Sequence, residues 1–283
     1  MSRNFIGLLL GFFALAACAH IAPQDRRQHA DTLAAAHDWR SMRLPTEKFV
    51  LAAYVPKPMP HVDVLTVYIE GDGLAWLSSS QASDDPTPRN PVGLELALRH
   101  PRGTAAYLAR PCQYVDPDDA RNCRKTYWTN RRFAPEVIEA SDLAISALKQ
   151  HFGANKLVLA GYSGGGAVAA LVAARRNDVV QLITVAGNLD HRAWTEQHRV
   201  PPLEGSLNPA DEWRALANLP QLHFVGERDA VINRAVVDAY ASRFPLDRRP
   251  EVISVPDFDH ACCWVEKWDV LLSEHRDVII PLQ

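Results

Sequence analysis

Short apolar runs recur along the chain, separated by longer segments whose apolar residues fall at helical spacing. Val62–Ile69 (V-D-V-L-T-V-Y-I), Thr104–Ala109, Leu157–Ala160, Val179–Val185, Gln221–Val225 and Glu251–Val255 read as strands. Between and after them, Val92–His100, Pro135–His151, Ala167–Ala174, Ala235–Phe244 and Cys263–His275 read as helices. The second of these has proline in its first turn and an apolar stripe of Val137, Ile138, Ala144, Ile145 and Leu148. Strand alternating with helix from Val62 onward predicts an α/β fold, a mostly parallel central sheet with helices on both faces. Upstream, Ile21–Arg43 reads as a tether leading into a short helix with Asp31 as its cap, and Phe49–Val55 alternates weakly before a proline-rich loop. Two polar, Pro- and Trp-containing excursions interrupt the alternation, Trp76–Pro91 and Arg192–Leu219. The expected organisation is a leader over 1–17, a tether and short helix over 18–46, and one α/β domain over 47–283, with 192–219 as a small cap.

Composition changes this picture little. The chain has 283 residues and a formal charge of −3 with no basic tract, which excludes nucleic acid as an expected partner. Its first residues matter more. Arg3 precedes an apolar stretch, Phe5–Ala17, that is short for a membrane span and ends Leu15-Ala16-Ala17-Cys18. That ending resembles the lipobox of bacterial lipoproteins, which implies cleavage before Cys18 and lipidation of its thiol. An ordinary secretory signal containing a cysteine is the alternative, and both imply export. With Ala19 rather than Asp after the cysteine, the resemblance implies a lipid anchor in the outer membrane, facing the periplasm. In an oxidising compartment, Cys112 and Cys123, which flank a polar segment, form an expected disulfide. Cys262 and Cys263 are adjacent and read either as two small hydrophobes or as a vicinal disulfide. No histidine cluster at metal-ligand spacing surrounds them, so no metal site is expected, and no cofactor is required.

The chemistry centres on Gly161-Tyr162-Ser163-Gly164-Gly165, a G-x-S-x-G between a strand and a helix. A serine at such a sharp turn is forced into strained backbone geometry, and the flanking glycines remove side chains that would clash. A glycine-rich turn of no chemical consequence, or a phosphate loop, would share the composition. The latter needs Lys-Ser/Thr after the glycines, where this chain has Ala167-Val168. A serine hydroxyl needs a base, and the base needs an orienting carboxylate. Asp229 and His260 each follow a strand downstream of the elbow, in the order Ser163, Asp229, His260. Asp190, after the strand ending at Val185, is the rival acid. The glycine-rich turn Glu70-Gly71-Asp72-Gly73 follows the Val62–Ile69 strand, where an oxyanion loop would lie.

From about Val62 to His275 the chain resembles the α/β-hydrolase superfamily, on the G-Y-S-G-G elbow, the Gly226-Glu227-Arg228-Asp229 acid turn and the Asp259-His260 histidine loop. The resemblance implies an α/β-hydrolase fold and a Ser163–His260–Asp229 triad. It also implies an oxyanion hole made by the backbone N–H groups of Asp72, or its neighbour Gly73, and of Gly164. Glu70 stands where many members have histidine. The opening segment and the Cys112–Cys123 loop resemble those of exported hydrolases of Gram-negative bacteria.

Tyr162 and Trp76 are the expected pocket residues. Tyr127-Trp128, Trp194, Pro201-Pro202 and Trp213 are further aromatic or rigid candidates, and the Arg131-Arg132 pair could read an acidic substrate or simply be solvated. No long amphipathic lid is evident. Together these features point to a serine esterase acting on a small-molecule ester or acyl substrate. An acyltransferase or peptidase on the same triad, and an envelope binding protein without activity, are the alternatives.

Overall fold

The structure, a computed structural model, describes residues 22–275. The leader and Cys18 lie outside the described residues. Helix α1 (Pro23–Ala35) leads into an antiparallel hairpin, β1 (Trp39–Pro45) and β2 (Val50–Pro56). There follow β3 (Val64–Ile69), α2 (Val92–Leu98), β4 (Thr104–Leu108), α3 (Pro135–Phe152), β5 (Lys156–Tyr162), α4 (Gly164–Ala173) and β6 (Val179–Val185). The chain continues with α5 (His191–His198), α6 (Trp213–Leu216), β7 (Gln221–Gly226), α7 (Arg234–Ala241), β8 (Glu251–Val255) and α8 (Trp264–Glu274).

These strands form one sheet in the order β1-β2-β4-β3-β5-β6-β7-β8, parallel from β4 to β8 and antiparallel where β2 meets β1 and β4. Its central strands alternate between two buried faces. Leu157 and Leu159 of β5 join a core with α3, α4 and α7, while Val158 and Ala160 join a core with α1, α2 and α8. A strand buried on both sides must be apolar at nearly every position, as the β5 sequence is. The chain leaves β3 towards β4 on one side and returns through α3 to β5 on the other. The strand order therefore reverses between β3 and β5, and such a switch point opens a crevice at the carboxyl ends of the strands. The Glu70–Gly73 turn and Ser163 both lie there.

The amino-terminal region differs from the tether expected of it. Pro23 starts α1, Asp25 lies in its first turn, and Ala30 and Ala34 face the core. Asp31 is inside the helix rather than at its cap, and accepts the Tyr54 hydroxyl at 2.8 Å. Arg26 is buried and donates to the carbonyls of Asp85 and Thr87, tying α1 to the 76–91 loop. In β1, charged and polar side chains point outward around Trp39 and Leu44, the pattern of an edge strand. The 192–219 excursion also carries more order than expected: α5, a 3-10 turn at Pro209–Glu212, and α6. Cys112 and Cys123 are joined by a disulfide with Cα atoms 5.7 Å apart, and Cys262 is joined to Cys263.

Candidate active site

The β5–α4 turn holds Ser163 at φ 52°, ψ −121°, a left-handed conformation that an L-residue adopts only when its surroundings impose it. Three hydrogen bonds do so. The Ser163 N–H donates to the Val185 carbonyl at 2.9 Å, and its own carbonyl accepts from Gly166 and Asn188 N–H groups, each at 3.0 Å. Two glycines are indispensable on steric grounds. A Cβ on Gly161 would lie 2.3 Å from the Gly165 carbonyl oxygen, and one on Gly165 would lie 2.2 Å from that of Ile69.

Two later strand ends bring the other groups. The Asp229 side chain is fully buried; its Oδ1 accepts from the N–H groups of Val231 (2.7 Å) and Ile232 (2.8 Å), and its Oδ2 lies 2.8 Å from His260 Nδ1. His260 Nε2 lies 3.0 Å from Ser163 Oγ. An ionised carboxylate only accepts, so Nδ1 carries the proton and the Nε2 lone pair faces the serine hydroxyl. The histidine loop is pinned from several directions. Asp259 Oδ1 accepts from Ala261 and Cys262 N–H groups, the Tyr162 hydroxyl donates to the His260 carbonyl at 2.8 Å, and the Trp264 indole donates to the Asp259 carbonyl at 3.0 Å. Those backbone N–H groups of Cys262 and Ala261 hold the Asp259 carboxyl below its ordinary range.

Asp190, the rival acid, has other work. It caps α5, accepting from the N–H groups of Arg192 (3.1 Å) and Ala193 (3.3 Å) and from the Asn208 amide (2.9 Å).

The backbone N–H groups of Asp72, in the turn after β3, and of Gly164, the first residue of α4, have no protein acceptor among the described residues. The side chain of Asp72 is a finding the sequence did not suggest. It pairs with Arg110 at 3.1 Å and Arg132 at 2.5 Å, and a Cβ on Gly164 would fall 2.1 Å from its Oδ1. Burial alone would raise this carboxyl, but the two guanidinium groups overcome it and hold Asp72 below the usual carboxylate range. Glu70 is buried just upstream. Its Oε1 accepts from the N–H groups of Gly71 (2.9 Å) and Gly93 (3.1 Å) and its Oε2 from the Tyr107 hydroxyl (3.0 Å). These bonds only partly offset burial, which pushes it up to about 6.

A cleft of about 830 Å³ opens over Ser163 and His260. Trp76 and Tyr162 line it, as does Trp194 from α5, with Val231 and Ile232 beside it. Tyr127, Trp128 and Trp213 do not reach it: Tyr127 packs edge-on against Phe49, the Trp128 indole donates to the Ser83 carbonyl, and Trp213 lies against Phe244. The paired arginines divide: Arg131 is largely exposed and Arg132 is not. Arg131 bridges to Glu136 at 2.7 Å, while Arg132 is buried and borders the cleft. Among the described residues, no cluster of His, Cys, Asp or Glu could hold a metal ion, and no helix is long and apolar enough to cross a membrane.

No family model matches the chain, and no curated protein matches it in sequence. Solved structures do. An esterase from Pyrococcus furiosus superposes with a TM-score of 0.59 at 12% identity, covering 90% of this chain and 93% of its own. The esterase domain of a Rhodothermus marinus protein matches with a TM-score of 0.55 at 15% identity, over 84% and 98% of the two chains. An α/β serine hydrolase without lid from Xanthomonas campestris matches with a TM-score of 0.53 at 16% identity, over 86% and 96%. With its eight-stranded, mostly parallel sheet and helices on both faces, the chain has the α/β-hydrolase fold.

Proposed function

We propose that this protein is a serine hydrolase that cleaves carboxylic esters through an acyl-enzyme. The observation that carries the reading is the unbroken chain from Asp229 Oδ2 to His260 Nδ1 (2.8 Å) and from His260 Nε2 to Ser163 Oγ (3.0 Å), in a cleft open to a small molecule. The esterases and serine hydrolases that share its fold support it.

In this reading His260 takes the Ser163 proton as the oxygen attacks the ester carbonyl, and Asp229 stabilises the imidazolium that forms. The carbonyl oxygen becomes an oxyanion and accepts from the Asp72 and Gly164 N–H groups, the latter at the positive end of α4. His260 then protonates the departing alcohol. Water, deprotonated by the same imidazole, attacks the acyl-serine, releases the acid and restores the serine. The apolar wall of the cleft, Trp76, Trp194, Val231 and Ile232, suits a small acyl or alcohol group.

The test is hydrolysis of 4-nitrophenyl esters of increasing chain length by the mature protein. The reading requires turnover of a short ester with saturation kinetics, a burst of nitrophenol near one equivalent of enzyme when deacylation limits, and loss of both in Ser163→Ala. Ester turnover that survives in Ser163→Ala would refute it. Export with lipidation at Cys18 belongs to the same proposal. Mass spectrometry of the amino-terminal peptide of protein from a Gram-negative host would show a diacylated cysteine if it is right, and an intact leader or an unmodified thiol if it is wrong.

A further inference from the structure

The Cys112–Cys123 loop takes no part in the proposed reaction, yet its first residues grip the turn after β3. Gln113 is 1% exposed, and its side-chain amide is spent on backbone groups. Oε1 accepts from the Arg110 N–H at 3.0 Å, while Nε2 donates to the Gly71 carbonyl at 3.0 Å and to that of Pro86 at 3.5 Å. On either side of it, Cys112, joined to Cys123, and Tyr114 stand at φ 73° and 56°. Residues other than glycine hold such left-handed conformations only where their surroundings impose them. Arg110 reaches the same turn: its Nη1 donates to Asp72 Oδ1 at 3.1 Å and its Nη2 to the Arg132 carbonyl.

The bond to Gly71 matters because of the peptide it grips. The Gly71 carbonyl and the Asp72 N–H belong to one planar, trans peptide group, in which they point in opposite directions. A donor fixed on that carbonyl therefore fixes the line along which the N–H points. Along the turn, the Glu70 N–H donates to the Leu108 carbonyl at 3.1 Å and the Gly71 N–H to Glu70 Oε1 at 2.9 Å. The Asp72 N–H has no protein acceptor among the described residues. Gly71 and Asp72 line the cleft together with Ser163, and a Cβ on Gly71 would lie 3.3 Å from that of Ser163. Glu70 restrains this turn on one side of the peptide and the two arginines hold the Asp72 side chain on the other. Gln113 acts on the peptide between them.

We propose that Gln113 is a positioning residue for ester hydrolysis: by holding the Gly71 carbonyl it aims the Asp72 N–H at the substrate carbonyl oxygen as that oxygen becomes an oxyanion. This rests on the hydrolase reading and adds to it a residue that acts through another. A donor to the oxyanion works on charge that develops in the transition state, so misdirecting it lowers kcat more than it raises KM. The Gly164 N–H is untouched by the change, and the loss is partial.

The test compares two substrates that differ in one atom: the shortest 4-nitrophenyl ester that the wild type turns over, and its thiono analogue, in which sulfur replaces the carbonyl oxygen. Sulfur is larger and a weaker acceptor, so the ratio of the two kcat/KM values reads the oxyanion donors and does not depend on the fraction of enzyme that is folded. Gln113→Met keeps the length of the side chain and removes its polar groups. In it, kcat for the ester should fall about tenfold or more with KM changed by less than about threefold, and the oxygen-to-sulfur ratio should fall by about fivefold or more. Gln113→Glu keeps an acceptor for the Arg110 N–H and should also lower the ratio. Tyr54→Phe, which removes a hydrogen bond to α1, should leave it at the wild-type value. An unchanged ratio in whichever Gln113 variant folds, or a failure of both to fold, would make the residue a structural one and overturn the proposal while the hydrolase reading stands. A wild type that cleaves no 4-nitrophenyl ester of any chain length would remove that reading and the proposal with it.

Discussion

On one side of Ser163, Asp229 and His260 make a line of two hydrogen bonds that ends on the serine hydroxyl, with the imidazole partly open to the cleft. On the other side, Asp72 is caught between Arg110 and Arg132, whose side chains are 5% and 7% exposed. Each group places a carboxylate, buried at Asp229 and half-buried at Asp72, beside a cation or a potential cation, yet they use the charge differently. On the His260 side the three residues sit on turns and loops, and Asp229 is fixed by backbone N–H groups, so that in the proposed reaction His260 could gain and lose a proton without losing its place. The Asp72 side has no such freedom. Its carboxylate is held ionised by two guanidinium groups and packs against Gly164. Chemistry and architecture are thus divided between the two sides, and substitutions should separate turnover from stability.

The largest effect is expected on the triad side. In Asp229→Asn the amide oxygen can still accept from Val231 and Ile232, but its NH2 group faces His260 Nδ1, where only an acceptor holds the productive tautomer. Turnover should fall by about 10⁴, with stability changed by less than about 1 kcal/mol in urea unfolding. Asp190→Asn, at the α5 cap, should leave turnover within about threefold.

The reverse pattern is expected for Asp72→Asn. Removing the shared carboxylate leaves two buried guanidinium groups uncompensated, at a cost of about 3 kcal/mol, the low end for a buried pair because Asp72 keeps 19% side-chain exposure. A shift in the urea midpoint larger than that of Asp229→Asn would support the division between the two sides, and a smaller one would erase it.

The smallest effect is at Glu70, and it depends on pH. Burial raises this carboxyl from 4.5 to about 6, so the folded state holds its proton more tightly than the unfolded chain. Its penalty is absent below the unfolded value and grows as pH rises through that of the folded state. Relative to Glu70→Gln, the wild type should lose about 2 kcal/mol of stability between about pH 4 and pH 7.5. A constant difference across that range would show that Glu70 is not held in this raised state.

The same division explains how much could be read from the amino-acid sequence. The elbow, the acid turn and the histidine loop are local patterns, each a strand followed at once by its functional residue, and their chain order carries the rest. The central strands were legible because burial on both faces demands continuous apolar runs. Arg110 and Arg132 gave no local signal of their partnership with Asp72, because they lie 38 and 60 residues from it and converge only when the sheet assembles. Asp190 satisfied the order of a triad acid, and only its hydrogen bonds to Arg192 and Ala193 show it to be a helix cap; an Asp just before H-R-A-W-T-E-Q-H was the available signal for α5. The β1 strand escaped notice because an edge strand exposes its polar side chains, leaving Trp39 and Leu44 as the buried remnants of its pattern.

The central claim is that the hydrogen-bonded line to Ser163 activates its hydroxyl. The direct measurement is covalent labelling of the mature protein by a fluorophosphonate, run beside Ser163→Ala and His260→Ala and read by intact mass. The account predicts one label per wild-type chain, mapped to Ser163 by peptide sequencing, and none on either variant within the same time. A folded wild type that takes no label, or labelling that persists at full rate in His260→Ala, would contradict it.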